Sequence, residues 1–435
     1  MSMKTLIPTA QQDTANKPQP YLTWNIPAIP GVFKQCEDDF DVEEIPAYEP
    51  SGEGEHLYLW IEKKGRSTAH LVQDLAKICG IPAFHIGVAG RKDVRARTRQ
   101  WMSLPQTAEE KLRTAQLPGC QILKMTRHRN KLRVGHLRGN RFSLKLREVD
   151  AAAEGRIRQI LEILALRGAP NFFGAQRFGM REDNACVGHA ILKNDYAEAV
   201  AWISGRPQPE DQGEIKKARE YFAAGDFERA ARAWPAFFRN SARVARVMAK
   251  SKGNAKQALL SLGKEMIWFY LTAFQSHLFN QVLTRRLPAL DYIWEGDLAF
   301  KHDNGAVFLV QNAAEEQPRM DRFEISPSGP LFGYGMTEPQ GQAGQMESEI
   351  LAAAGITKEN FREAALAQCP GVRRALRCPV TDWRVLPLDQ DEAGVYLTVQ
   401  FTLPKGSYAT ALLQEIGKGS LRDASQEEAG LCIES

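Results

Sequence analysis

The sequence predicts an α+β protein: a mixed, largely antiparallel sheet domain interrupted by a helix-rich insertion. Three observations lead there. Residues 31–149 fall into short apolar runs with strand alternation and one clear helix among them. Residues 195–286 turn Ala-rich with a helical period. Near 376 strand texture returns, where Val395, Leu397, Val399, Phe401 and Leu403 alternate with Tyr396, Thr398, Gln400 and Thr402. Strand-rich, helix-rich, strand-rich is the order expected of one domain set inside another. The boundaries read as a flexible tail over 1–25, a first part of the sheet domain over 26–194, the insertion over 195–375, the second part over 376–420 and a Gly/Ser/acid tail over 421–435. A chain of 435 residues has ample length for both cores.

Taken in order, the start is polar and Pro-rich. Phe33, Phe40, Val42 and Ile45 are then the apolar points of an acidic segment, and 56–62 reads as a strand. Leu71, Val72, Leu75, Ala76 and Cys79 recur at helical spacing, with Ser67 or Thr68 as N-cap and Gly80 as the stop. Strands are expected at 85–89 and 99–104, and at 121–126 and 132–149, the last two joined by a basic turn at 127–131. Asp150 is expected to cap a helix over 151–167 that Gly168 and Pro170 end. Asp303-Asn304-Gly305 is the strongest hairpin signal of the chain. Helices follow at 347–354, 359–368 and from Ser407 to 416.

Composition excludes several classes. Hydrophobic content of 43% and charged content of 25% are those of a soluble globular protein. The seven cysteines are scattered without a Cys-x-x-Cys pair, and the eight histidines show no ligand spacing. Neither a disulfide framework nor a metal site is expected. No apolar leader and no run of membrane-spanning length is visible, so a cytoplasmic, cofactor-free protein is the expectation. Net charge is only +4, but its distribution is uneven. From Glu37 to Glu55 there are nine acids and no Lys or Arg; from Lys124 to Arg147 there are nine cations and no acid. A local basic run can attract phosphates even in a near-neutral chain, although a solvated strand face is the commoner meaning.

The stretch Ala89–Trp101 is the most suggestive. Gly90 to Asp93 sits on a loop leaving a strand, and one acid, Asp93, stands among Arg91, Lys92, Arg95, Arg97 and Arg99. A carboxylate in that company is held ionised, and the same cations attract a polyphosphate. An ordinary surface ion pair is the alternative. Pro170–Gly179 joins a helix stop to a basic aromatic cluster, in which adjacent Phe172 and Phe173 point opposite ways, one to a core and one free to stack on a base. Asn171 after the proline reads as a turn former. Phe401 lies on the apolar side of its strand and reads as core, while Phe40 lacks such a row.

Five ordered motifs carry a resemblance: Gly52-Glu53-Gly54-Glu55-His56; Ala89-Gly90-Arg91-Lys92-Asp93 with Thr98-x-Gln100-Trp101; Asn171-Phe172-Phe173-Gly174-x-Gln176-Arg177-Phe178-Gly179; Leu278-Phe279-Asn280; and Phe401-x-Leu403-Pro404-x-Gly406-Ser407-Tyr408-Ala409-Thr410. Over about 36 to 416 the chain resembles the TruD family of tRNA pseudouridine synthases. The resemblance implies a pseudouridine-synthase-type catalytic domain, an inserted TRUD domain, and an RNA cleft between them. It implies isomerisation of a tRNA uridine, position thirteen in bacteria, by a monomer without metal or cofactor. Asp93 falls on the family's catalytic aspartate, and Asn171 on an asparagine that contacts that aspartate and the target nucleotide. Phe173 falls on the aromatic that stacks on the target base, Phe40 and Phe401 on pocket phenylalanines, and Lys92 on a lysine of electrostatic role. Two departures stand out: Arg91 occupies a position often uncharged, and 205–262 is extra length relative to compact bacterial members. An RNA base glycosylase or transglycosylase also uses an aspartate against C1′, and a non-catalytic tRNA-binding protein would keep the basic and aromatic surfaces; both are alternatives to the isomerase.

Overall fold

The computed structural model describes residues 21–364 and 366–425, so residues 1–20 and 426–435 of the expected tails lie outside the described residues. Two compact units emerge: Thr23–Ala169 with the chain from Cys378 onward, and Pro170–Arg377 with Tyr21 and Leu22. The first boundary therefore falls at 169/170, whereas composition placed it at 194/195. The reason is packing that local texture does not show. Helix Asn184–Leu192 lies against the long helix Lys264–Arg286, and Gly188 is what allows the approach, since a Cβ there would overlap the Tyr270 carbonyl oxygen. Residues 21–25 are also not a loose tail: Thr23 is fully buried, its Oγ1 donating to Glu415 Oε2 at 2.8 Å.

In the first unit the strands are β1 (Gly31–Phe33), β2 (Phe40–Pro46), β3 (His56–Lys64), β4 (Gly87–Val88), β5 (Arg97–Pro105), β6 (Cys120–His128) and β7 (Leu137–Arg147). With Thr381–Val385, Asp389–Asp391, Gly394–Pro404 and Leu421–Asp423 they form an 11-stranded sheet. Its spine runs Thr381–Val385, Gly394–Pro404, β7, β2, β5, β3, β6. Neighbours are antiparallel except β2 with β5 and β1 with Leu421–Asp423, which are parallel. The fold class is thus α+β with a largely antiparallel sheet.

Helix α1 (Thr68–Cys79) forms where its sequence says: Ser67 Oγ accepts from the His70 N–H at 3.0 Å, and Gly80 ends it at φ 66°. Leu71 and Leu75, both fully buried, pack with Leu57, Leu59 and Ile61 of β3 and Met102 and Leu104 of β5. Each such side chain contributes about 1.5–3 kcal/mol. Short α2 (Glu109–Arg113) closes the same cluster through Leu112. Helix α3 (Ala153–Arg167) starts later than expected, with Ala152 as N-cap; the Asp150 carboxylate binds Arg156 and also the Ala152 and Ala153 N–H groups.

The second unit is helical except for a four-stranded sheet ordered Val307–Leu309, Leu298–Lys301, Ile325–Leu331, Val372–Ala375. The first two strands are the hairpin expected at Asp303-Asn304-Gly305, and Gly305 adopts φ 78°. Among the described residues no helix is long and apolar enough to cross a membrane.

Candidate active site

On the sheet unit the site is built at the ends of β2 and β5. The acidic and basic stretches are adjacent parallel strands: Asp41 faces Arg97 and Glu43 faces Arg99. Arg99 reaches Asp41 at 3.0 Å, Glu62 at 2.9 Å and Glu43 at 3.4 Å, while Arg97 Nε donates to Asp38 at 2.7 Å. Burial pushes the Asp41 carboxyl up despite these arginines, whereas at Asp38 the bonds to Lys64 and Arg97 outweigh burial and hold it low. Two of the arginines expected to hold Asp93 ionised are therefore committed to other acids.

The charges that do face Asp93 come from elsewhere. Lys34 Nζ lies 3.8 Å from Asp93 Oδ2, and Lys63 Nζ donates to the Asp93 carbonyl oxygen at 2.7 Å. Both lysines are buried, while the Asp93 side chain is 43% exposed and so open to a substrate. Burial pushes the Lys63 ammonium down to about 8 against the pull of Asp93. Lys34 holds φ 60°, a left-handed conformation that a long side chain rarely adopts and that recurs at functional sites.

Lys92 points away from solvent. Its Nζ donates to Glu44 at 2.7 Å, with both side chains buried, and Glu44 in turn accepts from the Trp101 N–H at 3.2 Å. Burial pushes Glu44 up, opposed by Lys92. The Lys92 N–H donates to Thr68 Oγ1 at 3.0 Å, and that hydroxyl donates to Gln100 Oε1 at 3.2 Å. Lys92 thus fixes the loop that carries Asp93.

Phe40, Phe142 and Phe401 form a row over β2, β7 and Gly394–Pro404. Phe142 and Phe401 stack at 5.2 Å, and Phe40 meets Phe142 edge-on at 6.3 Å. Lys34 Nζ sits 4.2 Å from the centroid of Phe40. Phe40 and Phe401 are fully buried, a floor beneath the site rather than open stacking faces. The basic run 124–147 is partly neutralised: Arg127 pairs with Glu109, Arg141 with Glu43, Lys145 with Asp391, and Arg147 with Asp39 and Asp391.

Asn171 and Phe173 belong to the other unit and are brought together there by Arg374. Its Nη2 donates to Asn171 Oδ1 at 2.6 Å, and its guanidinium lies 4.0 Å from the Phe173 centroid. Asn171 Nδ2 donates to the Ala375 carbonyl at 2.9 Å. Asn280 grips the Phe173 backbone twice, accepting from its N–H and donating to its carbonyl, each at 3.0 Å. Phe279 meets the ring edge-on at 5.5 Å.

Against known proteins, the model of the family "tRNA pseudouridine synthase D (TruD)" matches residues 18–416. The chain belongs to the TruD family. It is similar, at 42% identity over 92% of its length and 98% of the relative's, to tRNA pseudouridine synthase D of Syntrophotalea carbinolica. The corresponding protein of Thermus thermophilus is 35% identical over 94% of this chain and 95% of its own. A crystal structure titled as a candidate TruD of Methanosarcina mazei superimposes with a TM-score of 0.76 at 27% identity, covering 92% of this chain and 95% of that one. The TruD match spans all six site residues expected from sequence. Lys34, Lys63 and Arg374 were missed by the sequence reading. Only Asn280 had a signal, its place in Leu278-Phe279-Asn280; the lysines meet Asp93 across sequence separations no periodicity reveals.

Proposed function

We propose that the chain isomerises a uridine of tRNA, at position thirteen, to pseudouridine, with Asp93 as the carboxylate that acts on the ribose. The reaction breaks the N1–C1′ bond, turns the uracil, joins C5 to C1′, releases the C5 proton and leaves N1 to take up a proton from solvent. Asp93 either attacks C1′ or removes a sugar proton to give a glycal; both routes need the carboxylate ionised, and both need the base out of its stack. The observation that carries the reading is the solvent-open Asp93 carboxylate with the buried Lys34 ammonium 3.8 Å away. A buried ammonium attracts a nearby negative charge more strongly than solvated arginines can.

Phe173 is assigned to the target base and Asn171 to the same nucleotide. Lys92 acts by positioning the Asp93 loop. Phe40 and Phe401 shape the floor of the pocket.

Incubation with tRNA carrying tritium at uracil C5 tests this. Wild type releases tritium to water and pseudouridine appears on nucleoside chromatography; Asp93→Asn lowers the rate by at least about 10³-fold. Undiminished release by Asp93→Asn refutes the assignment, and release that persists when uridine 13 alone is replaced by cytidine refutes the position. Free uracil among the products points to cleavage without rejoining.

A further inference from the structure

The helical segment at 205–262 carries a surface that the reaction at Asp93 does not use. Helix Arg239–Lys250 presents Arg239, Arg243, Arg246 and Lys250 at spacings of four, three and four, which puts all four on one stripe roughly 16 Å long. All four are exposed, and among the described residues none forms an ion pair; Arg243 donates to the Ser261 carbonyl at 3.3 Å and keeps its charge. Several neighbouring arginines of the same unit are paired: Arg206 with Glu198, Arg229 with Asp226 and Arg285 with Glu349. Like charges three and four apart repel, and Arg239 stands at the positive end of the helix dipole, where acids are usual and none is present. That arrangement costs the helix stability, and a polyanion lying along the stripe relieves it. At its start the Phe237 ring is 71% exposed.

We propose that this stripe, with Phe237 at its head, docks backbone phosphates of the tRNA substrate. The proposal rests on the tRNA reading above. An exposed aromatic beside a row of cations suits nucleic acid, since the ring can stack on a base while the cations hold the strand. A membrane surface is not the occupant. The apolar side of this helix (Val244, Ala245, Met248) is buried in its own unit, which leaves only the single Phe237 ring to enter a bilayer, where an interfacial helix buries a whole apolar face.

The triple variant Arg239→Gln, Arg243→Gln, Arg246→Gln tests it by titration with unmodified tRNA between about 50 and 200 mM salt. Expected are a Kd weakened roughly tenfold and a log–log salt slope smaller by about 2–3, from three lost phosphate contacts. Lys216→Gln with Lys217→Gln, exposed cations on Gly213–Ala223, leaves both within twofold. Should the triple variant fail to fold, Arg246→Gln alone lowers the slope by about 0.7–0.9. Variants with unchanged Kd and slope overturn the proposal. Tritium release read in the same samples keeps the two readings apart: a wild type with the steep slope but no release supports the stripe and sinks the isomerase.

Discussion

Lys34 Nζ stands 3.8 Å from Asp93 Oδ2 and 4.2 Å from the centroid of Phe40, so one buried ammonium joins the carboxylate to the aromatic floor. Lys34→Met removes the charge and keeps most of the volume. It is expected to lower kcat about 10- to 100-fold while the KM for tRNA moves less than threefold, because the lysine is too buried to meet RNA directly. Single-turnover tritium release checks this. A change confined to KM assigns Lys34 to binding instead.

Lys63 gives a pH signature. Its folded value is about 8 against an ordinary 10.5 because burial disfavours the charged form. As pH rises through about 8, the amine beside Asp93 loses its charge, so wild-type kcat falls on the alkaline side and Lys63→Met, slower throughout, lacks that limb. Stability moves oppositely. Between about 8 and 10.5 the unfolded chain holds the proton that the folded chain has shed, so wild-type unfolding free energy rises with pH relative to Lys63→Met, and the difference is flat below that window. Denaturant melts at pH 7, 9 and 10.5 read the sign.

Asn280→Ala leaves the Phe173 N–H and carbonyl without their 3.0 Å partners. The expected result is a roughly tenfold loss of kcat/KM, with Asn280→Asp intermediate since it can still accept from the N–H. Arg374→Lys keeps charge but loses the planar contact with the ring, and should fall similarly. Activity equal to wild type in all three would show that Phe173 needs no such support.

Arg147 is buried with Nη2 2.6 Å from Asp39 Oδ1, while Nη1 reaches Asp391 at 2.9 Å. Those bonds push its guanidinium value up. Arg147→Met strands the fully buried Asp39 and should cost about 3–5 kcal/mol. Asp39→Asn with Arg147→Met should recover part of it, and urea melts of the single and double variants decide.

How much of this was legible depends on range. Helix α1 was readable end to end because Ser67, its apolar spacing and Gly80 are all local. The Asp303-Asn304-Gly305 hairpin was readable for the same reason. The pairing of Asp41 with Arg97 and Glu43 with Arg99 was not, since two strands 56 positions apart meet in parallel only after the sheet has assembled. That is why the arginines looked available to Asp93 when two of them were already taken. That Asn184–Leu192 packs in the helical unit was not legible for a like reason: its partner helix starts at Lys264. Phe401 read as core and is buried, and Phe40, which lacked a partner row in sequence, gains one through Phe142.

Phe173 is clamped by its backbone through Asn280 and by its ring through Arg374 and Phe279. A ring flanked by two side chains, on a backbone pinned at both its N–H and its carbonyl, behaves as an anvil rather than a flap. In the proposed reaction the ordering cost that a mobile aromatic would incur at each encounter is met once, during folding, which leaves the nucleotide as the partner that must bend.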